Sequence, residues 1–113
     1  MSCVFCRIAA GELAATRVYE DADVLAFRDI HPQAPTHVLV IPKCHVASLH
    51  ELADVSLAGK LLVAAAEVAR GERLDEGWRL IANTRAHGGQ EVPHLHLHVL
   101  GGRALGRMLP SAK

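Results

Sequence analysis

Histidine occupies every second position of the segment His94-Leu95-His96-Leu97-His98-Val99-Leu100. Because alternate side chains of a strand point to opposite faces, this spacing predicts a strand with three imidazoles on one face and aliphatic side chains on the other. The aliphatic face would anchor the strand against a core, which leaves the imidazole face available for chemistry. The segment therefore predicts both a half-buried strand and a functional site.

A single metal ion bound by all three histidines is the most direct alternative. On a strand, Cα atoms two residues apart are separated by roughly 6.6 Å, and those of the outer two histidines by about 13 Å. Zn–N bonds are only about 2.0–2.1 Å long, so two rings could share an ion whereas three would need a distorted strand. We therefore expect separate tasks for the three rings; exposed strand residues without a function are the remaining alternative.

The composition favours a small folded protein. The chain has 113 residues, of which 50% are hydrophobic, enough for one domain over residues 1–113 with a modest core. Twelve basic residues balance twelve acidic ones, which argues against binding of long nucleic acid or an anionic membrane. The N-terminal residues fit neither a signal peptide nor a membrane span, so we expect a cytoplasmic protein.

Hydrophobic periodicity predicts two helices and five strands. A short N-terminal helix should end near Gly11, and a longer one should begin after Asp54 as N-cap and end near Arg70-Gly71. Five segments read as strands: 17–20, 24–29, 37–41, 78–83 and 94–100. The expected class is α+β, with a largely antiparallel five-stranded sheet, one long helix and a short N-terminal helix.

The three cysteines argue against a disulfide framework, because their number is odd. Cys3-Val4-Phe5-Cys6 instead has the spacing of a metal-binding or redox pair. It supplies only two of the four ligands of a closed structural zinc site. A thioredoxin-like redox role is less favoured, because the expected βαβ context is absent from the predicted element order.

Three further motifs accompany the histidine segment: Asp29-Ile30-His31-Pro32-Gln33-Ala34-Pro35-Thr36-His37, Ile41-Pro42-Lys43 and Gly88-Gly89-Gln90. Together they resemble the Hint branch of the histidine-triad superfamily of nucleotide hydrolases and transferases, from the cysteine pair to about Gly102. The resemblance implies cleavage of purine nucleoside 5′-phosphoramidates through a covalent nucleotidyl-histidine, with release of nucleoside monophosphate. A dinucleoside polyphosphate hydrolase of the same superfamily and a zinc-stabilised nucleotide-binding interaction module are the alternatives.

The resemblance assigns the chemistry to the middle histidine, His96, which would attack the α-phosphorus. A neutral imidazole is a competent nucleophile near pH 7, and covalent catalysis divides one difficult displacement into two easier steps. Its second ring nitrogen should bond a fixed group such as a main-chain carbonyl, and His37 would help to orient it. His98, Gln90 and the amides around Gly89 would stabilise the phosphate oxygens.

The resemblance also implies a nucleoside slot and its polar rim. Asp29 would accept hydrogen bonds from the ribose hydroxyls, and Asn83 would assist between ribose and phosphate. Glu91 stands where many Hint-type proteins have a serine associated with the leaving group. The slot would be formed by apolar side chains, each of which could equally be ordinary core: Val4, Phe5, Ile8, Phe27, Ile30 and Leu39.

Zinc-bearing members of the superfamily complete their site with positions that match His45 and His94. The resemblance thus implies a structural zinc ion on Cys3, Cys6, His45 and His94, with no cofactor required for the chemistry. Cys44 adjoins His45 and is an alternative ligand.

A homodimer whose sheets join edge to edge is also implied by the resemblance. The tail of residues 103–113 lacks the tryptophan-containing ending of some relatives, and Pro93 replaces the aromatic residue often found before the triad. We therefore carry over no leaving-group preference.

Overall fold

The computed structural model describes residues 3–109 and contains one antiparallel sheet with strand order β1-β2-β3-β5-β4. Its class is α+β with five strands, one long helix and one short helix, as the sequence predicts. The elements are α1 (Val4–Ala9), β1 (Arg17–Glu20), β2 (Val24–Arg28), β3 (Thr36–Pro42), a 3-10 helix (Leu49–Glu51), α2 (Val55–Gly71), β4 (Trp78–Ile81) and β5 (Leu97–Gly101).

Helix α2 covers one face of the sheet. Its first turn is capped by the carboxylate of Asp54, which accepts a hydrogen bond from the backbone N–H of Leu57 at 3.1 Å, as the predicted N-cap requires. The buried side of α2 packs on alternate residues of the central strands. This cluster, the helix-side core, includes Val24, Ala26, Val38, Val40, Leu61, Ala65, Val68, Leu95, Leu97 and Val99.

The opposite face of the sheet is covered by α1. Here the cluster consists of Phe5 and Ile8 from the helix and of the intervening residues of β2 and β3, which are Leu25, Phe27, Leu39 and Ile41. Helix α1 begins after Cys3, whose Sγ accepts from the backbone N–H of Cys6 at 3.4 Å. The two faces are therefore built from alternate side chains of the same strands.

The central pairing places the histidines in the middle of the sheet. Strand β3 pairs with β5 so that Leu39 lies opposite His98 and His37 lies opposite Leu100. His37 and His98 thus belong to neighbouring strands and project on the face that α1 covers. The predicted alternation is confirmed, because Leu95, Leu97 and Val99 all lie in the helix-side core.

The predicted start of the histidine strand is wrong. Strand β5 begins at Leu97, opposite Val40; in the same register Pro42, which has no backbone N–H to donate, would lie opposite Leu95. The backbone N–H of Leu95 instead donates to the carbonyl of Val46 at 2.6 Å. Likewise β4 ends at Ile81 instead of Asn83, and the 3-10 helix was not predicted.

The tail has no helix or strand over residues 103–109, and residues 110–113 of the predicted tail lie outside the described residues. In the described part of the chain, no helix combines the length and the apolarity that crossing a bilayer requires.

Candidate active site

His96 is almost completely buried, and its ring orientation is set by one hydrogen bond. Its Nδ1 lies 2.8 Å from the carbonyl oxygen of His94. Because a carbonyl can only accept, Nδ1 carries the proton and Nε2 carries the lone pair. The partner is of the main-chain type expected from the sequence. In this tautomer the lone pair of Nε2 is available for a bond to an electrophile.

A chain of hydrogen bonds fixes the protons on the two neighbouring histidines. The backbone N–H of Gln33 donates to Nδ1 of His37 at 3.0 Å, so the proton of His37 is on Nε2. That Nε2–H lies 2.9 Å from Nδ1 of His98, which must accept, so His98 holds its proton on Nε2. His37 therefore contacts His98, and its predicted role in orienting His96 stays a prediction.

Burial keeps this pair neutral. It lowers the pKa of His98 to about 4, helped by the neighbouring rings of His96 and His37 and opposed by the charge of Asp29. Burial also lowers the pKa of His37, against the same opposing carboxylate. At neutral pH both rings are uncharged, so His98 donates as an imidazole N–H.

Asp29 lies beside this pair at the end of β2. Its Oδ2 is 3.4 Å from Nε2 of His37, and its Oδ1 accepts from the backbone N–H of His31 at 2.8 Å. Ligand atoms of Asp29, His37 and His98 lie within 4.8 Å of one another. A metal on Nε2 of His37 would force its proton onto Nδ1, facing the N–H of Gln33, so the hydrogen bonding disfavours a metal here.

Four of the six predicted slot residues come together. Phe5, Ile8, Phe27 and Leu39 are buried in one cluster, and the rings of Phe5 and Phe27 meet edge to face with centroids 5.5 Å apart. Val4 is 42% exposed and Ile30 is 85% exposed, so these two lie at the surface. Val92, which the sequence analysis missed, also packs against the cluster.

The loop between β4 and β5 is tightly closed. A Cβ at Gly88 would lie 2.4 Å from the carbonyl oxygen of Thr84, and Gly89 has a φ of +81°, so both positions require glycine. The amide of Asn83 donates to the carbonyl of Gly88 at 2.8 Å. Glu91 is exposed at the end of this loop.

Gln90 holds the loop through its side chain. Its Oε1 accepts from the backbone N–H of Arg85 at 2.8 Å, and its Nε2 donates to the carbonyls of Ala47 at 2.7 Å and Val92 at 2.9 Å. Both ends of the predicted phosphate-binding amide are therefore engaged with the backbone. In this structure Gln90 shapes the loop, and nothing in the sequence distinguished this role from phosphate binding.

A second group of potential ligands lies on the other side of His96. Cys3, Cys6, His45 and His94 place their ligand atoms within 4.8 Å of one another, and we call them the Cys/His cluster. Nδ1 of His94 lies 3.2 Å from Sγ of Cys3, and Nδ1 of His45 lies 3.4 Å from Sγ of Cys6. Cys44 is exposed and, among the described residues, does not belong to this group.

The donors of the Cys/His cluster fit a zinc ion. Nε2 of His94 donates to the carbonyl of Pro42 at 2.9 Å, which leaves the lone pair of Nδ1 directed at the thiols. Burial and the neighbouring Cys3 raise the pKa of the Cys6 thiol, so thiolates here need a cation. Two sulfurs and two imidazoles are a common donor set of tetrahedral structural zinc.

The three alternating histidines of segment 94–98 thus have different surroundings. Residues 3–109 contain two groups of potential metal ligands: one includes His94 and the other includes His98. His96 belongs to neither group. Its ring is flanked by Phe5, with centroids 5.2 Å apart, and by His98, with centroids 5.0 Å apart. This arrangement leaves one histidine free to react between two that are held.

Comparison with known proteins agrees with this geometry. A family model described as HIT domain matches residues 10–105. The chain is 45% identical to purine nucleoside phosphoramidase of Escherichia coli (strain K12) over 109 residues, covering 94% of this chain and 92% of that protein. It is also 45% identical to protein HitA of Neisseria gonorrhoeae over 102 residues, covering 88% and 95% respectively.

Solved structures share the fold over nearly the whole chain. A HIT family hydrolase from Legionella pneumophila Philadelphia 1 superposes with a TM-score of 0.90 and 50% identity, covering 93% of this chain and 96% of that one. A histidine triad protein from Clostridium difficile gives a TM-score of 0.91 and 44% identity, covering 96% and 97%.

Proposed function

The chain belongs to the HIT domain family, and from this we propose that it hydrolyses purine nucleoside 5′-phosphoramidates to a nucleoside monophosphate and an amine. That it is an enzyme is confirmed by its similarity to a named phosphoramidase and to solved HIT family hydrolases. The substrate class of the proposal rests on the similarity to the named phosphoramidase. The observation that carries the proposed mechanism is the tautomer of His96, because its proton on Nδ1 leaves Nε2 as an available nucleophile.

In the first proposed step, the lone pair of Nε2 of His96 forms a bond to the α-phosphorus. The P–N bond to the amine breaks, and the amine leaves with a proton taken from solvent. In the second step a water oxygen attacks the phosphorus and the water gives up a proton to solvent, the bond to His96 breaks, and nucleoside monophosphate is released. The imidazole returns to its starting tautomer.

His98 is the proposed donor to the non-bridging oxygens. Its Nε2–H is the terminal donor of the chain that begins at the N–H of Gln33 and passes through His37. A donor whose orientation is fixed before the reaction stabilises developing negative charge without reorganisation. Because the pKa of His98 lies at about 4, this donor is a neutral imidazole at pH 7 and has no extra proton to pass to Nε2 of His96.

The nucleoside is proposed to bind beside the cluster of Phe5, Ile8, Phe27 and Leu39. Val4 and Ile30, which are exposed, would form its rim and become covered by the base. Asp29 is the proposed partner of the ribose hydroxyls, and Asn83 with the loop around Gly89 would face the phosphate. Gln90 supports that loop by holding it to Ala47.

The covalent intermediate gives the sharpest test. The protein is mixed briefly with an adenylated amine, quenched without acid, and analysed by intact mass and peptide mapping. We expect one adenylyl group, attached to His96. Attachment at another residue, or turnover that survives His96→Ala, would overturn the proposal. His50→Ala, at an exposed histidine in the 3-10 helix, is the matched control.

We also propose that the Cys/His cluster binds structural zinc. Protein purified without a histidine tag or added metal should contain about one zinc per chain by metal analysis. Cys6→Ser should lose the metal, whereas Cys44→Ser, the same substitution at the exposed cysteine, should keep it. Loss from Cys44→Ser, or metal-free wild type with unchanged stability, would refute the assignment.

A homodimer formed through β4 is the proposed assembly. Strand β1 ends the sheet with a register irregularity and the charged residues Arg17 and Glu20, features that discourage edge pairing. Strand β4 pairs regularly with β5 and carries Trp78 at its start. Analytical ultracentrifugation should give a dimer that Trp78→Glu converts to monomer; a monomeric wild type would exclude the assembly.

A further inference from the structure

His94 belongs to the Cys/His cluster and also holds the nucleophile. Its Nδ1 lies 3.2 Å from Sγ of Cys3 and 3.5 Å from Sγ of Cys6. Its own carbonyl accepts the Nδ1 proton of His96 at 2.8 Å. The residue is fully buried and its Nε2 is bonded to Pro42, so its side chain and its carbonyl connect the cluster directly to His96.

Phe5 provides a second connection between the cluster and the nucleophile. It lies between the two cysteines in α1, so the helix that carries the thiols also carries this ring. The ring meets His96 edge to face, with centroids 5.2 Å apart and planes at 81°. It meets His94 in the same manner at 5.9 Å and 75°. Phe5 therefore limits rotation of the His96 ring.

The segment after His45 provides a third connection. The carbonyl of Val46 accepts from the backbone N–H of Leu95, the residue before the nucleophile, at 2.6 Å. The carbonyl of Ala47 accepts from the side chain of Gln90 at 2.7 Å. Fixing His45 thus fixes both the approach to His96 and the loop proposed to face phosphate.

We propose that the Cys/His cluster positions the nucleophile: with zinc bound, the His94 carbonyl and Phe5 hold His96 in the Nδ1–H tautomer. Without the ion, the four donor atoms have no common centre, and only the bonds from His94 to Pro42 and from Leu95 to Val46 still hold the His94 carbonyl, so its position is less tightly fixed. A ring without a fixed acceptor divides between two tautomers, and the Nε2–H form cannot attack phosphorus. The consequence for rate rests on the proposed function; the consequence for the ring does not.

The ring itself gives the first test. Protein labelled with 15N-histidine is prepared with one equivalent of Zn²⁺ and without metal, and long-range 15N–1H correlations are recorded for His96. We expect a single Nδ1–H tautomer with zinc, and broadened or mixed-tautomer signals without it. Identical His96 signals in the two samples, both folded by circular dichroism, would overturn the proposal.

Variants separate positioning from stabilisation. His45→Ala removes a ligand whose ring packs against His94, with centroids 5.0 Å apart, and should lower kcat by about tenfold or more with KM unchanged. His45→Cys restores a ligand and should recover both zinc and kcat, and His50→Ala should leave both unaltered. Loss of zinc from folded His45→Ala with full kcat would refute positioning.

If loss of zinc unfolds the chain, Phe5→Leu provides a test with zinc still bound, because this variant keeps all four ligands. This variant should bind zinc stoichiometrically, yet give broadened signals for His96, because the ring loses the neighbour that limits its rotation; an unchanged His96 spectrum would overturn the proposed role of Phe5. If no variant and no wild-type sample cleaves phosphoramidates, the proposed function fails, while the NMR comparison still decides the positioning role.

Discussion

The two faces of the sheet are built by the same strands but differ in what their side chains do. On the face under α2, β5 contributes Leu97 and Val99 to a dry aliphatic core. On the face under α1, the same strand contributes His98, whose partners are two other histidines. The apolar cluster there includes two aromatic rings, Phe5 and Phe27, and Phe5 packs edge to face on His96.

This difference teaches that stability and chemistry are separated by side-chain alternation and not by distance along the chain. Neighbouring residues in β5 should therefore respond to substitution in opposite ways. Changes on the histidine face should remove activity and leave the fold, whereas changes on the helix-side core should remove stability and leave the chemistry. Four substitutions or titrations test this contrast.

The largest effect should follow His96→Ala. Loss of the nucleophile should lower turnover by about 10⁴-fold or more, as expected when covalent catalysis is removed. Binding of nucleoside monophosphate should persist, since the slot formed around Phe27 and Leu39 is untouched. Single-turnover kinetics and calorimetry measure the two quantities. Residual turnover near the wild-type level would break the proposed division between the faces.

The second effect concerns the helix-side core. Leu61 is 2% exposed, and Leu61→Ala should lower the free energy of unfolding by about 2–5 kcal/mol. Leu62, its neighbour in α2, is 55% exposed, so Leu62→Ala should cost about 0.5 kcal/mol or less. Urea denaturation gives both values, and kcat of the folded fraction should not change. A kcat loss in Leu61→Ala would show that the two faces are coupled.

The third effect is a pH dependence that arises on the histidine face. The pKa of His98 is about 4 in the folded protein and 6.5 in the reference state. Between these values the unfolded chain binds a proton that the folded protein does not, so stability falls as pH decreases through this window. The fall amounts to at most about 3 kcal/mol and levels off below pH 4.

His98→Asn should remove this part of the pH dependence. Urea denaturation of wild type and variant at pH 7, 5.5 and 4.5 compares the slopes directly. The groups facing His98, which are Asp29, His37 and His96, are present in both proteins, so the difference between the profiles reports His98 together with its coupling to them. Parallel stability profiles would assign the acid sensitivity to other groups.

The smallest effect is expected at an ion pair beside α2. Arg28 and Glu72 form two parallel hydrogen bonds of 2.9 Å, which connect the end of β2 to the C-cap of the helix. The Arg28 side chain is partly exposed, so Arg28→Ala should cost only about 1 kcal/mol or less. A double-mutant cycle with Glu72→Ala isolates the pair, and a coupling above that range would give it a larger role.

The sequence predicted those features that repeat along the chain. The alternation at 94–100 predicted which side chains of the histidine segment share a face. The apolar stripe after Asp54 predicted α2 and its N-cap. Both follow from local periodicity, which needs no knowledge of the partner strand. The antiparallel five-stranded sheet followed from the number and spacing of such segments.

Features that depend on tertiary partners could not be predicted. The bond from the Gln33 N–H to His37 depends on how the proline-rich loop folds back, and the bonds of Gln90 depend on the segment near Ala47. The early end of the ladder depends on where Pro42 falls in the register with β5. A backbone donor or acceptor has no signature in the sequence, because every residue except proline carries both.

The alternation around His96 also limits how this protein can be redesigned. Deleting one residue between His96 and His98 would exchange the faces of everything before it, sending the nucleophile into the aliphatic core and Leu95 into the substrate side. No halfway arrangement exists, since a pleat has only two sides. Length changes in a redesigned protein therefore belong in the loops, never inside this segment.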